Sequence, residues 1–86
     1  MNIPKYIELY RKDLILKNYA QCSIDNYVSQ VNCFLNYFNS VYTEPAKIPE
    51  LSIKEWLLMA KSVNGRKHRI SALKLFYSLT VGQPMK

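Results

Sequence analysis

Residues 21–39 read QCSIDNYVSQVNCFLNYFN, and their spacing decides the fold class. Ile24, Tyr27, Val28, Val31, Phe34, Leu35 and Phe38 recur at intervals that put them on one broad stripe of a helix, while Asp25, Ser29, Asn32 and Asn36 fall opposite. An aromatic-rich stripe at this period is core, because side chains of that size gain most from leaving water. One helix with so wide an apolar face needs further helices to cover it.

The flanking sequence supplies them. Pro4 suits a first helical turn, where its missing N–H costs nothing, and Ile3, Ile7, Tyr10 and Leu14 then follow a helical spacing. Leu9, Ile15 and Leu16 widen that stripe before Lys17-Asn18-Tyr19-Ala20-Gln21 interrupts it. Ser40 to Leu51, with Pro45 and Pro49, reads as a loop. Ser52 and Glu55 form a capping box that opens a third helix carrying Ile53, Trp56, Leu57, Ala60 and Val63. Asn64-Gly65 would stop it through a left-handed cap. A fourth helix from about Arg66 to Thr80 turns Ile70, Leu73, Phe76 and Tyr77 inward and Lys67, Ser71, Lys74 and Ser78 outward, with Gly82 and Pro84 ending it. Two helical hairpins packed on each other bury all four stripes, which makes the expected fold an all-α four-helix bundle.

The chain has 86 residues, 49% of them apolar, which suffices for one domain and one core. Two glycines and four prolines leave little material for tight β-turns. No apolar run approaches the ~18 residues that span a bilayer, and no basic-then-apolar leader is present, so the expected setting is cytoplasmic, with no membrane partner. Cys22 and Cys33 on one helix would stand about 16 Å apart, too far to bridge. With a single histidine and no CxxC, a zinc site lacks ligands. Both cysteines are expected to be reduced, with no metal and no cofactor.

Charge is segregated. Lys5, Arg11, Lys12, Lys17, Lys47 and Lys54 balance Glu8, Asp13, Asp25, Glu44, Glu50 and Glu55, so the net charge of +6 lies wholly in Lys61, Arg66, Lys67, Arg69, Lys74 and Lys86. A field of one sign favours a polyanion, and charge alone does not separate DNA from RNA. Arg66-Lys67-His68-Arg69 at the start of the fourth helix also opposes the helix dipole, at about 0.3–1 kcal/mol per cation. A stability-driven helix would carry Asp or Glu there, whereas the same end suits a phosphate. Conflicts of this kind tend to mark function.

These residues resemble a known family. Tyr27 with Phe34-Leu35-Asn36-Tyr37-Phe38 resembles the "Y…L..F..F" segment of phage-integrase-type tyrosine recombinases. Ser23-Ile24-Asp25-Asn26-Tyr27 is similar to that family's "T-I-x-x-Y", and Arg69 to Tyr77 (RISALKLFY) to its segment in the fourth helix. The part concerned is the N-terminal SAM-like, or core-binding, domain, and the likeness runs from Ile3 to about Leu79. Two departures stand out: Ala20 replaces the usual Ser cap, and Asn18-Tyr19 replaces the usual glycine in the preceding connection.

The resemblance implies a SAM-like bundle, residues 1–81, that clamps double-stranded DNA with its second and fourth helices. Residues 82–86 would begin a linker to a separate catalytic domain. It places Asn26, Lys67, Arg69, Ser71 and Lys74 near DNA, flanked by Arg66 and His68. It also implies that the first helix touches a neighbouring protomer through Tyr6, Leu9 and Leu16.

Catalysis is not expected of these residues. The family's reaction needs arginines, a lysine, histidines and a tyrosine nucleophile on its catalytic domain; here His68 is followed by Arg69-Ile70-Ser71, without an H-x-x-R. Seven tyrosines are present, none with an Arg/His set that would activate it. Tyr10, Tyr27 and Tyr77 read as core or half-core residues with a polar tip. No carboxylate pair or Gly-rich phosphate loop suggests a small-molecule substrate. The expectation is a DNA-binding part of a tyrosine recombinase that serves DNA integration and recombination. The alternatives are a protein-interaction helical module and a free-standing helix-turn-helix regulator.

Overall fold

The computed structural model describes residues 1–82, which form an all-α four-helix bundle without strands. Its helices are α1 (Ile3–Leu16), α2 (Gln21–Phe38), α3 (Glu50–Leu58) and α4 (Val63–Phe76), followed by a π-helical turn at Tyr77–Val81. Pro84, Lys86 and the expected linker beyond Gly82 lie outside the described residues.

The α1 helix starts where the side chain of Asn2 accepts the Lys5 N–H at 3.3 Å, with Pro4 in the first turn. It ends in a Schellman motif. Asn18 takes the left-handed conformation at φ 64. The Asn18 N–H reaches the Ile15 carbonyl at 3.0 Å and the Tyr19 N–H reaches that of Leu14 at 3.2 Å. Asparagine tolerates this region better than most residues, so it can stand where a glycine would be usual. The α2 helix then begins at Gln21, with Ala20 as its cap residue and no side-chain cap, and a 3.3 Å ion pair from Arg11 to Asp25 links it to α1.

All six buried residues of α2 (Ile24, Val28, Val31, Phe34, Leu35, Phe38) come from the apolar stripe read in the sequence. Phe34 lies at the centre, with the rings of Phe38 and Trp56 edge-on at 5.2 and 5.1 Å. Tyr10, Leu14, Ile48, Ile53, Leu57, Ala72, Leu73, Phe76 and Tyr77 complete the core from the rest of the chain. Tyr27 is half-buried. Cys22 and Cys33 are free and exposed.

Several local expectations are corrected. Leu9, Ile15 and Leu16 do not widen the core stripe of α1; all three are exposed, Leu16 at 79%. Ser52 does not cap α3. That helix begins at Glu50, with Pro49 as its cap residue at φ −65 and ψ 148, so Ser52 already lies inside it. Proline fixes φ and blocks a helical residue before it, which sets the start three positions earlier. Asn64-Gly65 is not a left-handed stop. Ser62 caps α4 by accepting the Gly65 N–H at 3.0 Å, so Asn64 and Gly65 form its first turn. Val63, expected inside, is 63% exposed.

The far end of α4 widens into the π-helical turn, which Gly82 closes at φ 82. Three hydroxyls fasten this end: Tyr10 to the Ala72 carbonyl, Tyr77 to the Pro45 carbonyl and Thr80 to the Asp13 carboxylate, each at 2.8 Å. The result is a firm seat for α4 and the turn after it against α1 and the Pro45 segment.

Candidate nucleic-acid interface

Because α4 begins at Val63, the Arg66–Arg69 cluster occupies its second turn instead of the first. The dipole effect fades beyond the first turn, so most of the expected electrostatic conflict is relieved. What matters instead is which way each side chain faces.

Lys67, Ser71, Lys74 and Ser78 are all exposed. At 3.6 residues per turn the first three form one line on the solvent side of α4, while Ser78, expected on the same stripe, lies beyond it in the π-helical turn. Arg66 and Arg69 lie elsewhere. Arg66 stands four residues before Ile70 and seven before Leu73, and Arg69 stands four before Leu73 and seven before Phe76, so both share the inward face. Both are half-buried. The Arg69 guanidinium stacks 4.4 Å above the Trp56 ring and donates to the Trp56 carbonyl at 3.1 Å, which ties α4 to α3. The Nε of Arg66 is buried with no hydrogen-bond partner. These spacings to Ile70 and Leu73 were the available sequence signal that the two arginines differ from their neighbours.

Asn26 and His68 meet. The Nδ2 of Asn26 on α2 lies 3.4 Å from the Nδ1 of His68 on α4, and both residues are exposed. The packing of α2 on α4 therefore brings Asn26 to His68, while Lys67, Ser71 and Lys74 line the solvent side of α4. Asn64, exposed and one turn before His68, extends the polar line. Sequence reasoning passed over it because Asn-Gly reads as a helix stop.

The cations here have no internal counter-charge. The ion pairs among the described residues are Arg11–Asp25, Lys12–Glu8 and Lys54–Glu50. None of them involves Lys61, Arg66, Lys67, Arg69 or Lys74. An ammonium without a carboxylate neighbour remains available to phosphate, and amide, imidazole and hydroxyl groups beside it are suited to base edges. Burial raises the ionisation of the Tyr10 and Tyr77 hydroxyls above the ordinary phenol range, but both lie in the core and not at this face.

Among the described residues, no cluster of His, Cys, Asp and Glu is arranged to hold a metal ion. No helix among them is long and apolar enough to cross a membrane. No protein-family model, curated protein or solved structure matches the chain.

Proposed function

We propose that this chain is the DNA-binding domain of a site-specific tyrosine recombinase of the integrase type, acting in the cytoplasm. In this reading it grips one face of duplex DNA along the α2–α4 junction, while the strand-exchange chemistry belongs to a separate catalytic domain. The observation that carries the reading is the exposed line Lys67–Ser71–Lys74, without an ion-pair partner among the described residues, on the helix whose His68 meets Asn26. Lysines supply sequence-independent affinity through release of counterions, and the polar groups between them supply register and readout.

The test is fluorescence anisotropy of a labelled duplex titrated with the chain across a series of salt concentrations. Each phosphate contact adds about 0.9 to the slope of log affinity against log salt. Lys67→Ala with Lys74→Ala should lower that slope by roughly 2 and weaken binding to all duplexes alike. A slope unchanged in the double variant would remove this face as the interface.

The α1 helix supports a second contact, with a neighbouring protomer. Leu9 and Leu16, seven residues apart on one line, are both exposed, and Tyr6 beside them is half-buried. Sedimentation velocity should show self-association that Leu9→Lys with Leu16→Lys abolishes. A profile independent of concentration would count against it.

A further inference from the structure

We infer that Asn26 and His68 act as one reading unit for an adenine, with Asn26 touching the base and His68 fixing the direction of its amide. This rests on the DNA-binding reading above and goes beyond it by assigning base readout to two residues.

The two side chains come from different helices, 42 positions apart in sequence, and meet at 3.4 Å. Each is exposed, and neither has another hydrogen-bond partner among the described side chains. A contact of this length in water adds little to stability. Asparagine is also a poor helix former, so α2 gains nothing from it at that position. Orientation is what the contact supplies.

A carboxamide has one acceptor oxygen and two N–H donors. If one N–H is given to His68 Nδ1, the oxygen and the second N–H remain side by side. That pair matches the adenine edge in the major groove, where N6–H donates and N7 accepts. A freely rotating Asn26 amide would instead offer its two ends in either order. With Nδ1 serving as acceptor, a neutral His68 ring carries its proton on Nε2, which can donate to a phosphate or base oxygen. Lys67 and Ser71 flank His68 on α4, so phosphate contacts there would hold the amide at a constant height over the groove.

The experiment selects duplexes from a randomised library with the full chain, then measures affinities of the selected and a non-specific duplex for each variant. The unaltered chain should enrich an A·T pair at one position. Asn26→Ala should weaken binding to the selected duplex roughly 5- to 150-fold more than binding to the non-specific duplex. His68→Ala should flatten preference at that same base pair, with little further loss in the double variant. Asn26→Ser gives the same test should alanine disturb α2, and circular dichroism checks the fold of each variant. Base preference retained at every position in Asn26→Ala would overturn the inference. So would a His68→Ala loss equal on both duplexes. Binding without any base preference in the unaltered chain sinks the inference and leaves the DNA-binding reading standing. No binding to any duplex at low salt sinks both.

Discussion

The Tyr10 hydroxyl donates to the carbonyl of Ala72 at 2.8 Å, joining α1 to the C-terminal half of α4 across 62 positions of sequence. Its ring also meets Phe76 edge-on at 5.3 Å. Tyr77 makes the matching clamp onto Pro45, likewise at 2.8 Å. Each hydroxyl is buried and satisfied, so each aligns the helix bearing the candidate interface without leaving a polar group unpaired. Tyr10→Phe removes one bond and little volume. It should cost about 1–2 kcal/mol, seen in urea unfolding as a lower midpoint at unchanged slope. A midpoint equal to that of the unaltered chain would show that the clamp is not a source of stability.

Alkaline pH should unfold the protein for the same reason. Desolvation raises the Tyr10 hydroxyl above its ordinary ionisation range, aided by the neighbouring Tyr27 and Tyr19, and desolvation alone raises that of Tyr77. The unfolded chain releases these protons near the ordinary phenol value of about 10, while the folded chain keeps them. Above that pH the native state binds more protons, so stability falls as pH rises. The slope should approach 1.4 kcal/mol per pH unit for each tyrosine, roughly 2.7 for the two. Their contribution is complete below about pH 10. Chemical unfolding measured between neutral and strongly alkaline pH should show half that slope in Tyr10→Phe. An equal slope in the variant would exclude Tyr10 as a cause.

The apolar stripes were legible because burial follows the helical period. Every buried residue of α2 stood on the line read from spacing, as did Leu73 and Phe76 of α4. Ala72 was not legible, since a methyl group carries little hydrophobic weight. Its place against Tyr10 is a tertiary fact. Helix ends were harder, because two signals competed at each. Ser52-x-x-Glu55 lost to Pro49, and Asn64-Gly65 lost to Ser62 as a cap. The candidate interface was legible as a cluster of charge but not as a surface. Arg69 turns in to Trp56, and Asn26 meets His68 only because α2 packs on α4.

The two serines give a direct comparison. Ser62 accepts the Gly65 N–H at 3.0 Å at the head of α4, so Ser62→Ala should cost about 1 kcal/mol. For a domain of this size that lowers the thermal midpoint by about 4–8 °C. Ser52 lies inside α3 without a capping role, and Ser52→Ala should stay within about 0.5 kcal/mol. Thermal melts followed by circular dichroism separate the two. The reverse ranking would restore the capping box and move the start of α3.

Arg69 and Lys67, two positions apart, should separate stability from binding. Arg69 stacks on Trp56 at 4.4 Å and bonds its carbonyl at 3.1 Å, while Lys67 is exposed and has no carboxylate partner among the described residues. Arg69→Ala should therefore cost about 1–3 kcal/mol through loss of the cation–π contact and the hydrogen bond. Lys67→Ala should change stability by no more than about 0.5 kcal/mol yet lower the salt slope of DNA binding by about 1. Trp56 is the single tryptophan, so its fluorescence reports the loss of the stacked guanidinium directly. Arg69→Lys keeps the charge but not the planar fork, and should leave most of the stability loss in place. Equal destabilisation by the Lys67 and Arg69 alanine variants would erase the distinction between a cation that holds α4 to α3 and one that faces outward.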